Sequence, residues 1–284
     1  MKINRRRFIA GLGAAGAAIG ADAFGFEAHR VLVSRHDVLL GEPAGALDGL
    51  RIAQVSDVHL PGNQLAARAA LDHLRREQPD IVILNGDMTE SARALGQVSE
   101  FAQAARGSLA TVAVLGNWEY RAGIEAERAR KVYQQAGVDL LVNQSRVLKV
   151  GRSSLAVVGL DDMLAGVPDL TAARAGLDSA ALEIWVIHEP NFADQVPKAV
   201  PPPAMLLSGH THGGQIRIPL MPPVKPIGAG RFLEGWYNDA LAPMYVSRGV
   251  GTTGIPARFR CPAELPIFTL RAKQSLLAGV PCLE

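Results

Sequence analysis

Cysteine is scarce in this sequence. Cys261 and Cys282 are the only two in 284 residues, and they form no CxxC arrangement. That excludes a thiolate metal cluster and a disulfide-built scaffold, and leaves one Cys261–Cys282 bridge open to an exported chain. Charge of one sign is lacking too: 29 Lys and Arg against 27 Asp and Glu give a net charge of +2. No electrostatic ground therefore exists for nucleic acid as a partner. The apolar stretch near the N-terminus, Phe8 to Gly20, falls short of the ~20 residues that a membrane-spanning helix requires. Internal repeats and low-complexity domains are absent. With 48% hydrophobic and 20% charged residues, the rest is the composition of an ordinary globular chain, long enough for a sizeable core.

The N-terminus follows a different plan. Arg5, Arg6 and Arg7 precede the mildly hydrophobic, Ala- and Gly-rich stretch, and "ADA" at Ala21 to Ala23 supplies a small-x-small cleavage site. This is the layout of a signal peptide. Asn4-Arg5-Arg6-Arg7-Phe8-Ile9 resembles the twin-arginine export consensus, which implies the twin-arginine machinery as a partner and the cell envelope, at the outer face of the cytoplasmic membrane, as the destination. An uncleaved signal acting as an anchor is the alternative, and either way the membrane surface is an expected neighbour. The expected division is a signal or anchor at 1–23, a lead-in strand and linker at 24–46, one domain at 47–271 and a tail at 272–284.

Within the domain, short apolar runs alternate with helical patterns. "LRIAQVSD", "PDIVILNGD" and "ATVAVLGN" read as buried strands, with helices over Leu65–Glu77, Ser91–Ala105 and 124–136 between them. The second half reads as strands in "SRVLKVG", "SSLAVVGLDD", "EIWVIHEP" and "AMLLSGH". A Pro- and Gly-rich region follows, and then closing strands in "APMYVSRGV" and "LPIFTLRA". The pattern predicts an α/β fold with buried sheets.

One feature repeats. Each principal apolar strand is followed by a metal-competent side chain: Asp57 and His59 in "SDVH", Asp87 in "NGD", Asn117 in "GNWE", His188 in "IHEP", and His210 and His212 in "GHTH". Ligands bind outside the carboxyl ends of strands in such sheets, so these side chains are expected to converge. A mononuclear zinc site uses three or four ligands. Seven carboxylate, amide and imidazole donors suffice for two cations sharing a bridge, an arrangement suited to phosphoester hydrolysis. The nitrogen and oxygen donors fit Mn, Fe, Zn, Co or Ni.

In their order and over nearly the whole chain after the signal, "SDVH", "NGD", "GNWE", "IHEP" and "GHTHGGQ" resemble the motif series of the calcineurin-like metallophosphoesterase superfamily. The resemblance implies a four-layer sandwich of two mixed β-sheets flanked by α-helices, with a dinuclear metal centre. It also implies that Asp57, His59 and His212 hold the first metal, that Asn117, His188 and His210 hold the second, and that Asp87 bridges them. Asp87, Asn117 and His210 would then lie nearest the chemistry, and a hydroxide between the metals would attack phosphorus directly. The signal and "YVSRGVGTTGIPARFRCPAELPIFTL" resemble an exported phosphodiesterase branch. That likeness implies an envelope phospholipid, a wall phosphodiester or a pyrophosphate-containing lipid precursor as substrate. The alternatives are a UDP-2,3-diacylglucosamine-type pyrophosphatase at the cytoplasmic face and a catalytically weak metal-binding envelope protein.

The sequence departs from that pattern at Trp118, where most members carry His. The imidazole helps the leaving group depart, and such proton transfer is worth about 10²–10⁴-fold. Its loss disfavours alkoxide leaving groups and favours diesters or pyrophosphates with better ones, unless Glu119 or an arginine substitutes. Trp118, Arg248, Arg258 and Arg260 are candidate substrate residues, the arginines because a guanidinium fork matches phosphate. Leu220, Met221, Phe232, Trp236 and Tyr237 are candidates for an apolar groove that takes a lipid tail.

Overall fold

The computed structural model describes residues 5–40, 45–178 and 181–272. Helix α1 (Arg5–Ala21) comes first, and β1 (Val31–Leu40), β2 (Arg51–Val55), α2 (Gln64–Glu77), β3 (Ile81–Asn85), α3 (Leu95–Ala104) and β4 (Ala110–Val114) follow. Next come α4 (Asn117–Arg121), α5 (Ala126–Gln135), β5 (Asp139–Leu140), β6 (Gln144–Val150), β7 (Ser153–Gly159), α6 (Leu170–Ala173) and β8 (Leu182–Val186). The chain closes with β9 (Met205–Ser208), β10 (Gly235–Tyr237), β11 (Met244–Val246) and β12 (Ala263–Ala272).

Two mixed six-stranded sheets form, in the orders β1-β12-β2-β3-β4-β5 and β10-β11-β9-β8-β7-β6, flanked by helices. The run from β2 to β5 is parallel, as is the run β7, β8, β9, β11; β12 is antiparallel to β2, while β6 and β10 are antiparallel edges. The continuous apolar runs follow from burial on both faces. In β3, Ile81 and Ile83 join Ile184, Val186, Met205 and Leu207 of the second sheet in the core between the sheets. Val82 and Leu84 point the other way, onto Ala70 and Leu74 of α2 and Val98 and Phe101 of α3. The outer face of the second sheet buries Trp185, Leu206 and Phe232.

Strand β1, within the expected lead-in, forms the edge of the first sheet. All ten of its residues are in parallel register with β12, from Val31 with Ala263 to Leu40 with Ala272. Ser34 Oγ donates to Glu264 at 2.6 Å, and Glu264 also accepts from Tyr245 Oη at 2.6 Å. The Cys261–Cys282 pairing that the sequence leaves open falls outside the described residues: Cys261 is a buried thiol, and Cys282 lies with the rest of 273–284 outside them.

Glu77, at the end of α2, fastens that helix to two strands. Its carboxylate pairs with Arg35 of β1 and with Arg51 Nη2 of β2 at 2.5 Å. Burial alone would raise this carboxyl, but Arg35 and Arg51 outweigh it and hold the group below the usual carboxylate range. A depressed folded value stabilises the fold above the unfolded value and loses that contribution as pH falls through the folded one. Glu77→Gln is therefore expected to cost on the order of 1 kcal/mol at neutral pH. Denaturant unfolding should show the difference from wild type vanishing as the carboxylate range is crossed in acid; a pH-independent difference would remove the ion pairs as its cause.

Candidate metal centre

The carboxyl ends of β2, β3, β4, β8 and β9 lie at one edge of the sandwich, and the turns after them carry the candidate ligands. The backbone there is unusual. Asp57, His59, Asp87, His210 and His212 all have positive φ, between 50° and 71°. Side chains other than glycine adopt this left-handed region at a cost of roughly 1–3 kcal/mol each, so it persists only where surrounding structure dictates it. Much of that dictation comes from close backbone approach. A Cβ on Gly209 would collide with Ser56 Oγ and Asp57, and one on Gly116 with the Asp87 carboxylate and its backbone nitrogen. The glycines beside the ligands therefore let the turns interlock.

Asp57, His59 and His212 bring one donor atom each within 4.8 Å of one another, and Asp87, His188 and His210 form a second such group; all six are buried. The Nε2 atoms of His59 and His212 face each other at 2.9 Å. Asp87 Oδ2 lies between the groups, 3.0 Å from His188 Nε2 and 3.9 Å from His59 Nε2. The outer partners fix which nitrogen turns inward. His188 Nδ1 donates to the Asn85 carbonyl at 2.9 Å, and His210 Nε2 to the Ile227 carbonyl at 2.6 Å. His188 Nε2 and His210 Nδ1 then remain as inward-facing nitrogens without a hydrogen bond, together with the buried Asn117 Oδ1. Orphaned buried acceptors of this kind are costly unless something binds them. Carbonyl-locked imidazoles with free inner nitrogens are how proteins present His to a metal.

Electrostatics agrees with that fit. Burial opposes ionisation of Asp87, but His188, His59 and the Trp118 N–H, which donates to Oδ1 at 2.8 Å, hold its carboxyl down at about 2. Burial likewise opposes the charged form of His188, and Asp87 and Asp57 overcome it and raise that imidazole well above its ordinary value. Two buried carboxylates draw protons onto neighbouring imidazoles; cations would take the protons' place.

Glu119 has a different role from the one its sequence position suggests. It is buried, and its carboxylate accepts from the backbone N–H groups of Asp87 at 3.0 Å, Met88 at 2.6 Å, Thr89 at 3.1 Å and Gly116 at 3.0 Å. Burial, then the Asp87 charge, pushes this carboxyl up to about 7. Committed to four donors that tie the turns after β3 and β4 together, it positions Asp87 and has no open path to a leaving group.

A cleft of about 560 Å³ opens over the site, lined by Asp87, Asn117, Trp118, His210 and His212 on the metal side. Ile216, Ile218, Val224, Ile227 and Ile255 line its apolar side. Trp118 packs edge-on against His59. The guanidinium of Arg121 stacks on the Trp118 ring 5.2 Å from its centroid, and Arg121 also lines the cleft. The spacing of three residues on a helix, which puts Trp118 and Arg121 on one face, was the available signal for that arginine.

The three arginines expected from the sequence are elsewhere. Arg258 is fully buried, and its guanidinium donates to the carbonyls of Gly251, Cys261, Arg248 and Gly249 at 2.6–3.2 Å. It holds the 248–261 loop against Asp57 rather than meeting substrate. Arg248 pairs with Glu264 at 3.2 Å and Glu234 at 3.7 Å. Arg260 is exposed in a separate hollow with Arg217, Ile218 and Leu220. The expected apolar groove is corrected in the same way. Phe232 is fully buried with Tyr237 against it, and Trp236 packs on His36, Tyr245 and Phe268 between the two sheets. Leu220 and Met221 remain exposed.

Residues 50–218 match the family model of the calcineurin-like phosphoesterase superfamily domain. The chain is 27% identical over 285 residues to the metallophosphoesterase YkuE of Bacillus subtilis, spanning 95% of this chain and 99% of that one. It is 27% identical over 199 residues to the phosphodiesterase YaeI of Escherichia coli, 68% of this chain and 71% of that one. Among solved structures, the sulfate thiohydrolase SoxB of Thermus thermophilus superposes with a TM-score of 0.42 at 14% identity, over 82% of this chain and 58% of that one.

With Asp87 between the two donor groups, Asp87→Ala is expected to lose both cations together. Elemental analysis of the purified variant should find well under one metal per chain; near-normal content would show that Asp87 does not join the groups.

Proposed function

The chain belongs to the calcineurin-like phosphoesterase superfamily, and we propose that it is a phosphodiesterase acting on a lipid-linked diester or pyrophosphate of the cell envelope. Membership makes it a metal-dependent phosphoester hydrolase with a dinuclear divalent centre. In this reading Asp57, His59 and His212 would hold one cation, His188, His210 and Asn117 the other, and Asp87, between the two groups, would serve both. When bound, the two cations would supply Lewis acidity toward the phosphoryl oxygens and an acidified water as nucleophile.

The chain's own residues do the rest. The Trp118 N–H and Glu119, through the backbone, aim Asp87. The Ile227 carbonyl fixes the His210 tautomer. Arg121, beside Trp118 at the cleft, offers a permanent cation to a non-reacting phosphate oxygen.

The observation that carries the preference for pyrophosphates and activated diesters over alkyl esters is the cleft wall at Trp118. An indole N–H cannot protonate a leaving oxygen, Arg121 is a permanent cation rather than an acid, and Glu119 is committed elsewhere. A phosphate leaving group, with a pKa near ~6, departs without help. An alkoxide, nearer water's ~15.7, does not. The name phosphodiesterase carried by the 27% identical YaeI supports the same preference. The apolar side of the cleft supports a substrate with a hydrocarbon portion.

Metal-replete protein should cleave bis-p-nitrophenyl phosphate faster than p-nitrophenyl phosphate; the reverse order would refute the diester reading. Trp118→His should raise turnover by tenfold or more on alkyl esters, within the range for general-acid catalysis, and leave activated esters nearly unchanged. Equal changes on both classes would mean that Trp118 does not set the preference.

Export by the twin-arginine route belongs to the same proposal, because a site assembled from Asp57 to His212 forms only in the folded chain and that route carries folded cargo. Replacing both Arg5 and Arg6 with Lys should move activity from the envelope to the cytosolic fraction. Unchanged fractionation would refute export through that pair.

A further inference from the structure

One lip of the cleft is formed by residues 217–231, which contain neither strand nor helix. Its aliphatic side chains face water: Ile218 is 52% exposed, Leu220 106%, Met221 60%, Val224 76% and Ile227 83%. Burying each would be worth about 1.5–3 kcal/mol, and the fold forgoes it. Scattered exposed leucines need no explanation, but aliphatic side chains gathered on one lip mark a contact surface. The lip is also stiff, with Pro219, Pro222, Pro223 and Pro226 each fixing φ. It holds no Asp or Glu between Arg217 and Arg231, and Lys225 stands in its middle.

The N-terminal segment is fastened beside this lip. The carbonyl of Ala23 accepts from Arg258 N at 3.0 Å, and the Glu27 carboxylate accepts from Arg260 N at 2.8 Å and Cys261 N at 2.5 Å. The same 258–261 stretch pairs on its other side with the start of the lip, through the Ile216–Phe259 bridge and Arg217 N donating to the Phe259 carbonyl at 2.9 Å. Phe24 and Phe26, 53% and 60% exposed, follow α1, which has no acidic residue in its 17 positions.

We propose that this face docks on an anionic lipid bilayer, with Leu220 and Met221 entering the headgroup region and the mouth of the cleft turned toward the membrane. The chemistry favours lipid over a protein partner. The tip is aliphatic and lacks the Trp, Tyr and Arg anchors that dominate protein interfaces. The flanking Arg217 and Arg231 are paired with Glu234 and with Asp194 and Asp239, so the cations that complement anionic headgroups are Lys225, whose ammonium meets only a backbone carbonyl, and the exposed Arg260 beside Leu220. Durable attachment takes two signals, and the lip and the α1 segment supply them side by side. No described helix is long and apolar enough to cross a membrane. The docking is independent of which bond the cleft hydrolyses.

The test uses the full chain with Cys282→Ser, leaving Cys261 buried and unlabelled. Leu220→Cys is labelled with an environment-sensitive fluorophore, and Leu109→Cys serves as control. Leu109 is 51% exposed and precedes β4, at the end of the sheet away from the ligands. Unchanged turnover of bis-p-nitrophenyl phosphate, which reports the metal centre alone, checks that each variant is folded. On mixing with phosphatidylglycerol–phosphatidylcholine vesicles, the Leu220 label should shift its emission to the blue while the Leu109 label does not. Phosphatidylcholine alone should give a smaller shift at Leu220. No shift at Leu220, equal shifts at both positions, or a Leu220 shift that rises with protein concentration without vesicles would each overturn the proposal; the last would make the surface a contact between copies of the chain.

Discussion

The carboxylate of Asp87 is buried where the two sheets end together, and a buried charge must be compensated from every side. Three of its partners come from different elements: His188 after β8, His59 after β2, and the backbone of Trp118 at the start of α4. To bring them within reach, the turns must interlock more tightly than ordinary side chains allow. The glycines at 116 and 209 and the left-handed backbone at the ligand residues follow from that requirement. Glu119 and Arg258 meet it from behind, one gathering N–H groups and the other carbonyls. The two buried charges face opposite backbone groups of neighbouring loops and together fix the floor of the site.

The α/β character was legible because its physics is periodic, while the pairing of two sheets was implied by the motif series. Runs such as "IVIL" are apolar at every position, which fits only strands covered on both faces, and the side chains after them had to meet at the common edge. His188, His210 and Asp87 could be grouped for that reason. The arginines were not legible. A guanidinium fork suits phosphate and backbone carbonyls alike, and sequence does not tell Arg258, which is enclosed, from Arg121, which is open to the cleft. Phe232 and Trp236 failed for a related reason: nearness to a metal motif in sequence says nothing about which side of a sheet receives an aromatic ring.

The cleft is asymmetric in chemistry as well as in shape. Its metal side is rigid, built from buried turns locked by hydrogen bonds. The opposite lip is a proline-stiffened loop, held at its ends by the bridge at Ile216 and the Arg231 ion pairs and at the Ile227 and Gly228 carbonyls, with its aliphatic tip exposed. A substrate would therefore be oriented by its phosphoryl group at one wall and meet a tolerant hydrocarbon surface at the other. Chemical selectivity sits on the first wall, and access is governed by the second.

Strand β1 pairs in its sheet with β12 alone, and β12 separates it from β2. The first strand to leave the ribosome thus has no place in the sheet until one of the last arrives. The segment between α1 and β1 is likewise bonded, at Ala23 and Glu27, to residues 258–261 near the end of the described chain. During synthesis β1 and the segment before it could meet α2, through Asn63 at the Ala28 carbonyl and Glu77 at Arg35, before β12 exists. The place of β1 in the sheet, however, opens only when β12 arrives, so strand order makes this edge the last part of the sheet to close.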